Sequence, residues 1–156
     1  MPQEFTLQPS PRGLGGNVYT PVPGYLAELW VPVLTFGGAN VGLTGSYFAT
    51  YTKIGDRCFF DVTFTLTAKG SSVGLAVIED LPFTRGQGVN SACAMYWTNM
   101  TTSLVMMVGI PGGTGVDSEL FIGGLAAGGA SVVQLTDADF ANNSAFTCSG
   151  VYNVQN

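Results

Sequence analysis

The chain has 156 residues, a formal net charge of −5 and no histidine. Its length allows one domain, and its acidity argues against a nucleic-acid partner, because binding a phosphate backbone requires clustered Lys and Arg. The missing histidine removes the commonest general base and metal ligand. The composition therefore favours a structural or binding protein over an enzyme, with no cofactor.

Only 10% of the residues are charged, against roughly 25% in an ordinary soluble domain, and 46% are hydrophobic. So little charge predicts that part of the surface lies against other subunits. The uncharged stretch from residue 86 to 116 is interrupted by Asn, Ser and Thr, so it does not predict a membrane-spanning helix. We expect no membrane insertion.

Residues 1–29 predict an extended arm. Five of the eight prolines lie within residues 1–24, and an isolated extended segment gains too little contact to offset its ordering entropy. We expect the arm to contact a neighbouring subunit or a larger particle. Residues 1–4 show no secretory leader, which favours assembly in a cytoplasm. The candidate arm contacts are the larger apolar side chains Phe5, Leu7, Leu14 and Tyr19.

Residues 30–156 predict an all-β domain. The clearest unit is a hairpin over residues 47–67, in which aromatic and β-branched residues alternate with polar ones on both sides of a Gly55-Asp56 turn. Its predicted core face consists of Phe60, Val62, Phe64 and Leu66. Further strands are predicted at residues 74–78, 91–97, 104–110, 119–122, 130–134 and 144–153.

Short strands at intervals near ten residues favour an antiparallel β-sandwich, jelly-roll-like, for residues 30–156. A single helical turn is predicted within residues 135–140, where Thr136 or Asp137 is available as its cap.

The pair Asp137 and Asp139 allows three interpretations. Turn carboxylates that bond their own backbone are the most common case. Together with Asn142 the pair also offers oxygen ligands for Ca²⁺, although the spacing is not that of an EF-hand. The third interpretation is acid and base catalysis on a carbohydrate, which requires two carboxylates facing each other across a cleft. We favour the turn.

Cysteines and aromatic residues complete the candidates. Cys58, Cys93 and Cys148 are widely spaced and predict buried free thiols.

Four aromatic residues are candidate surface or ligand contacts, because amphipathic rings contribute much of the energy of interfaces. The alternative is that each is a half-buried sheet residue. These four are Tyr47, Tyr51, Tyr96 and Trp97.

Four further runs are distinctive: WVPVLTFGGA at residues 30–39, YTKIG at 51–55, LTAKGSS at 66–72 and LPF at 81–83. Together they resemble a module of tailed-bacteriophage virion proteins, found in tail-fibre, receptor-binding and head-fibre or head-decoration proteins. The resemblance extends from Trp30 to Phe83, and residues 135–152, from Leu135 to Tyr152, look like the end of the same module.

This resemblance implies a β-sandwich virion component, assembled in the host cytoplasm and often homotrimeric, with no catalytic residues to carry over. Fibre proteins with this module have a longer segment before it than the 29 residues that precede Trp30. That difference favours a capsid decoration protein bound to the major capsid protein. The alternative is a tail or tail-fibre protein that recognises a glycan or protein of the host surface.

Overall fold

The computed structural model describes residues 25–86, 91–112 and 118–155, and these form an all-β fold. Within these ranges there is no α-helix, and none of the described segments is a helix long and apolar enough to cross a membrane. The strands are β1 (Tyr25–Leu29), β2 (Val33–Phe36), β3 (Leu43–Ile54), β4 (Arg57–Lys69), β5 (Ala76–Glu79), β6 (Cys93–Met100), β7 (Leu104–Pro111), β8 (Leu120–Ala126), β9 (Val133–Gln134) and β10 (Phe140–Asn153).

The ten described strands form one antiparallel sheet. Its order is β1-β3-β4-β10-β6-β7-β8-β5-β2, and β9 pairs with β8. The all-β, antiparallel part of the prediction is confirmed. A sandwich or jelly roll is not confirmed, because the strands make a single continuous sheet that curls on itself.

The curl follows from two observations. Three residues, 30–32, join β1 at one end of the strand order to β2 at the other, although nine flat strands would separate these edges by roughly 38 Å. Four residue steps span at most about 15 Å, so the two edges must approach each other. In agreement, the rings of Phe36 in β2 and Phe140 in β10 lie 5.1 Å apart.

The predicted hairpin is confirmed as β3 and β4, joined by the Gly55-Asp56 turn. In β4 the even-numbered residues point into the curl and the odd-numbered ones point outward, as period two requires. The inward residues of β4 are buried: Cys58, Phe60, Val62, Phe64 and Leu66. They pack with inward residues of the other strands, including Leu34, Phe36, Ile78, Leu120, Ile122, Phe140, Phe146, Cys148 and Tyr152.

The structure moves the predicted start of the sheet and contains the predicted helical turn. Residues 25–29, assigned to the arm, form β1 and pair with residues 50–54 of β3, so the sheet begins five residues before the predicted boundary. The rest of the predicted arm, with Phe5, Leu7, Leu14 and Tyr19, lies outside the described residues. The helical turn is a 3-10 turn at Asp137–Asp139 with Thr136 as its N-cap residue.

Candidate functional site

The outward side of β3, β4, β10 and β6 carries mostly hydroxyl side chains, and we call it the threonine face. It consists of three rows of four residues, each row crossing the four strands in order. The rows are Ser46, Thr65, Ala145 and Thr98; Phe48, Thr63, Thr147 and Tyr96; and Thr50, Asp61, Ser149 and Ala94.

Hydrogen bonds between neighbouring strands hold the centre of this face. The hydroxyls of Thr63 and Thr147 share one at 2.9 Å, and the Ser149 hydroxyl donates to Asp61 Oδ1 at 2.5 Å. Asp61 is the only charged residue among the twelve. The face therefore presents positioned hydroxyl groups and very little charge, which suits a partner that is itself uncharged and rich in hydrogen-bonding groups.

Two large aromatic side chains stand at the ends of the middle row. Phe48 is 65% exposed and Tyr96 is 70% exposed. Three strand spacings separate them, or about 14 Å. Exposed rings beside hydroxyl groups provide both apolar contact and hydrogen bonding to a ligand or partner. Because nothing in the described ranges covers them, this row is the candidate contact surface.

The four predicted aromatic contacts do not form one surface. Tyr96 lies on the threonine face, but its neighbour Trp97 points to the opposite side and packs against the core. Tyr47 also lies on the side opposite the threonine face; it is 47% exposed, with its ring 6.1 Å from that of Phe64.

Tyr51 is buried. Its hydroxyl donates to Glu28 Oε2 at 3.1 Å, and its ring contacts that of Phe83 edge-on at 5.3 Å. Burial and the Glu28 carboxylate raise the pKa of Tyr51 to about 12. The structure thus uses Tyr51 as a core residue.

Sequence reasoning did not select Phe48. The available signal was the alternation within β3: Tyr47 pairs with the inward Phe64, and Phe48 with the outward Thr63. Two adjacent aromatic residues in a strand must point to opposite sides of the sheet, so one of them lies outside the core.

The carboxylates of Asp137 and Asp139 belong to the 3-10 turn. Asp139 accepts bonds from the Thr136 N–H at 2.8 Å and from the hydroxyl of Thr102. Asp137 accepts from the Gly74 N–H at 2.9 Å and lies 3.7 Å from Lys69 Nζ. The side-chain oxygen of Asn142 accepts from the Lys69 N–H. These bonds give all three predicted calcium ligands other partners.

Among the described residues, no group of three or more His, Cys, Asp or Glu could hold a metal ion. The three cysteines are free and buried, as predicted. Burial raises the pKa of the Cys58 thiol, and a hydrogen bond with Cys93 together with burial raises that of Cys148.

No protein-family model matches this chain, and no curated protein matches it. Its fold is similar to part of the Dettilon tailspike protein, with a TM-score of 0.63 and 17% sequence identity. The similarity covers 83% of this chain and 24% of that one, so this chain corresponds to about a quarter of the tailspike chain. At this identity the comparison shows a shared fold. The shared fold agrees with the resemblance to virion modules in architecture alone.

Proposed function

We propose that this chain is a structural component of a tailed-bacteriophage virion, located in the tail, and that its threonine face contacts the host surface. The fold similarity to a tailspike protein supports a tail location over capsid decoration. We propose no catalytic role, because Asp137 and Asp139 are both engaged in bonds within the fold.

The observation that carries the proposal is the row from Phe48 to Tyr96. Two aromatic rings, each about two-thirds exposed, flank a pair of hydrogen-bonded threonines on a face with one charge. Covering exposed apolar area removes it from water, which favours association, and rings also contribute through stacking. The geometry supports adhesion to an uncharged, hydroxyl-rich surface such as a glycan.

The test is an adsorption assay with the purified chain, its phage and the host cells. The chain should reduce adsorption by occupying the receptor. A double variant, Phe48→Ser with Tyr96→Ser, should require roughly tenfold more protein for the same effect. Val73→Ser is the control, since Val73 is 77% exposed in the segment between β4 and β5 and does not belong to this face.

Two results would contradict the proposal. One is wild-type protein that binds no host cell and leaves adsorption unchanged. The other is antibody labelling that places the chain over the whole capsid, which would restore the decoration hypothesis.

We also propose that the chain forms a homotrimer, supported by the exposed apolar side chains and low charge. Light scattering should then give a molecular mass three times the 16.2 kDa of one chain. A mass of 16.2 kDa at assay concentrations would exclude a constitutive trimer.

A further inference from the structure

A groove of about 420 Å³ opens between β2 and β3. Residues 30–32 close one end, where the chain crosses from β1 to β2, and the turn at residues 37–42 closes the other. Buried Leu34 and Leu66 form part of its wall, and Ser46 connects it to the threonine face. Its volume lies within the range of small-ligand sites.

Among the described residues, nothing pairs with one edge of β3 along this groove. β1 pairs only with residues 50–54, and the last bond on that side joins the Trp30 N–H to the Ala49 carbonyl at 3.3 Å. Pro32 has no N–H, so the crossing segment cannot extend the ladder there. In a β-strand, the backbone groups of residues two positions apart point to the same side. Because the Ala49 carbonyl faces the β1 side, the N–H and carbonyl of Tyr47 also face that side, which is open here. Within the described part of the chain neither group has a partner there.

The side chains around this free edge combine apolar and polar groups. Tyr47 rests on Phe64 and leaves about half of its surface exposed, and Asn40 adds an amide group. The groove lining contains no charged residue. A ring surface beside uncharged donors and acceptors matches a sugar ring, which has apolar C–H faces and hydroxyl groups at its edge.

An extended peptide fits this groove less well. Strand addition uses a run of several backbone pairs. Here the ladder of β3 is already irregular between Thr44 and Gly45, and both ends of the groove are closed by the chain. Room remains for only one or two pairs around Tyr47.

We propose that this groove binds a neutral saccharide unit of a surface glycan. The Tyr47 ring stacks on the sugar, while the Tyr47 backbone and the Asn40 amide bind its hydroxyl groups. This inference rests on the proposed function and specifies a ligand class and a site, separate from the Phe48 and Tyr96 row.

The test is a titration of the isotope-labelled full chain with maltose, lactose and cellobiose. Binding is monitored through the NMR chemical shifts of the backbone amides. Sialyllactose serves as an acidic sugar, and an uncharged β-strand peptide as the competing ligand class. At least one neutral disaccharide should shift the amides of Tyr47 and its groove neighbours. Tyr47→Ala should weaken this binding roughly tenfold, and Tyr47→Phe, which keeps the ring, should retain most of it. Phe59→Ala is the matched control and should bind normally, because Phe59 is 46% exposed, close to the value for Tyr47, but belongs neither to the groove lining nor to the twelve residues of the threonine face.

Several outcomes would overturn the groove proposal: no shift with any neutral sugar, binding of sialyllactose or the peptide alone, or binding unchanged in Tyr47→Ala. The adsorption assay separates the two proposals. One outcome is that Tyr47→Ala inhibits adsorption as strongly as the wild-type chain does, whereas the Phe48 and Tyr96 double variant does not. In that case the tail function stands and the groove proposal fails.

Discussion

The Tyr152 hydroxyl accepts a hydrogen bond from the Phe83 N–H at 3.1 Å and donates one to the Phe83 carbonyl at 3.0 Å. Tyr152 lies in β10 and is fully buried, whereas Phe83 belongs to the segment between β5 and β6. One side chain thus satisfies both backbone groups of a residue outside the sheet. Because the Phe83 ring also contacts Tyr51, this pair fixes the segment against the core.

Replacing Tyr152 by Phe should lower the free energy of unfolding by about 1 to 3 kcal/mol, because the partly buried N–H and carbonyl of Phe83 lose their partner. Urea unfolding followed by fluorescence measures this change. Tyr96→Phe removes an exposed hydroxyl and should leave stability unchanged. Equal midpoints for the two variants would show that the Phe83 bonds contribute nothing measurable.

Stability should also fall in alkaline solution. Burial and Glu28 raise the pKa of Tyr51 from 10.0 to about 12, and burial raises that of Tyr152 as well. A pKa that is higher in the folded than in the unfolded state stabilises the fold below pH 10, and this contribution is lost as pH rises toward the folded value. Urea midpoints should therefore decline between pH 10 and 12. The decline should be shallower in Tyr51→Phe, and an unchanged slope in that variant would contradict the assignment.

Asp139→Ala should destabilise the chain by about 2 kcal/mol, since it removes an acceptor for Thr136 and Thr102 at the start of β10. Thermal unfolding tests this prediction. Asp61→Asn is the control, because Asp61 lies on the exposed face and the amide oxygen can still accept from Ser149. A variant of Asp139 with normal stability and a lost hydrolytic activity would instead support the carbohydrate-active interpretation.

The three thiols should be unreactive toward Ellman's reagent in the native protein. All three thiols are buried, and a raised pKa keeps Cys58 and Cys148 protonated, whereas the thiolate is the reactive form. A hydrogen bond with Cys148 lowers the pKa of Cys93, so burial alone protects that thiol. All three should react after unfolding in guanidinium. Rapid native labelling would show that the curled sheet opens near the strand of the labelled residue, which is β4 for Cys58, β6 for Cys93 and β10 for Cys148.

The sequence predicted structure well wherever the information was local. The hairpin of β3 and β4 and the turn at Asp137 depend on neighbouring residues, and both were found. β1 was missed because Pro21 and Pro23 precede it directly and its partner, residues 50–54, lies more than twenty positions away. The single curled sheet depends on distant pairings such as β4 with β10 and β2 with β5, which periodicity does not encode.

The candidate contact surface also depends on distant pairings that the sequence pattern does not encode. Tyr96 is exposed and Tyr51 is buried, and alternation alone could not separate the two, because either side of an isolated strand can face the core. The neighbours that bury Tyr51, Phe83 and Glu28, come from separate parts of the chain. Alternation places either Tyr47 or Phe48 outside the core, but the row of Phe48 with Thr63 and Tyr96 depends on pairings between distant strands.

The position of β10 has a consequence for biosynthesis. This strand lies between β4 and β6, yet it is translated after every other strand of the sheet. Until residues 140–153 leave the ribosome, β4 and β6 each present an unpaired edge and the apolar side chains that β10 later covers. Unpaired edges of this kind favour association between nascent chains. Neighbouring chains growing on one messenger RNA are therefore most prone to associate before β10 has paired.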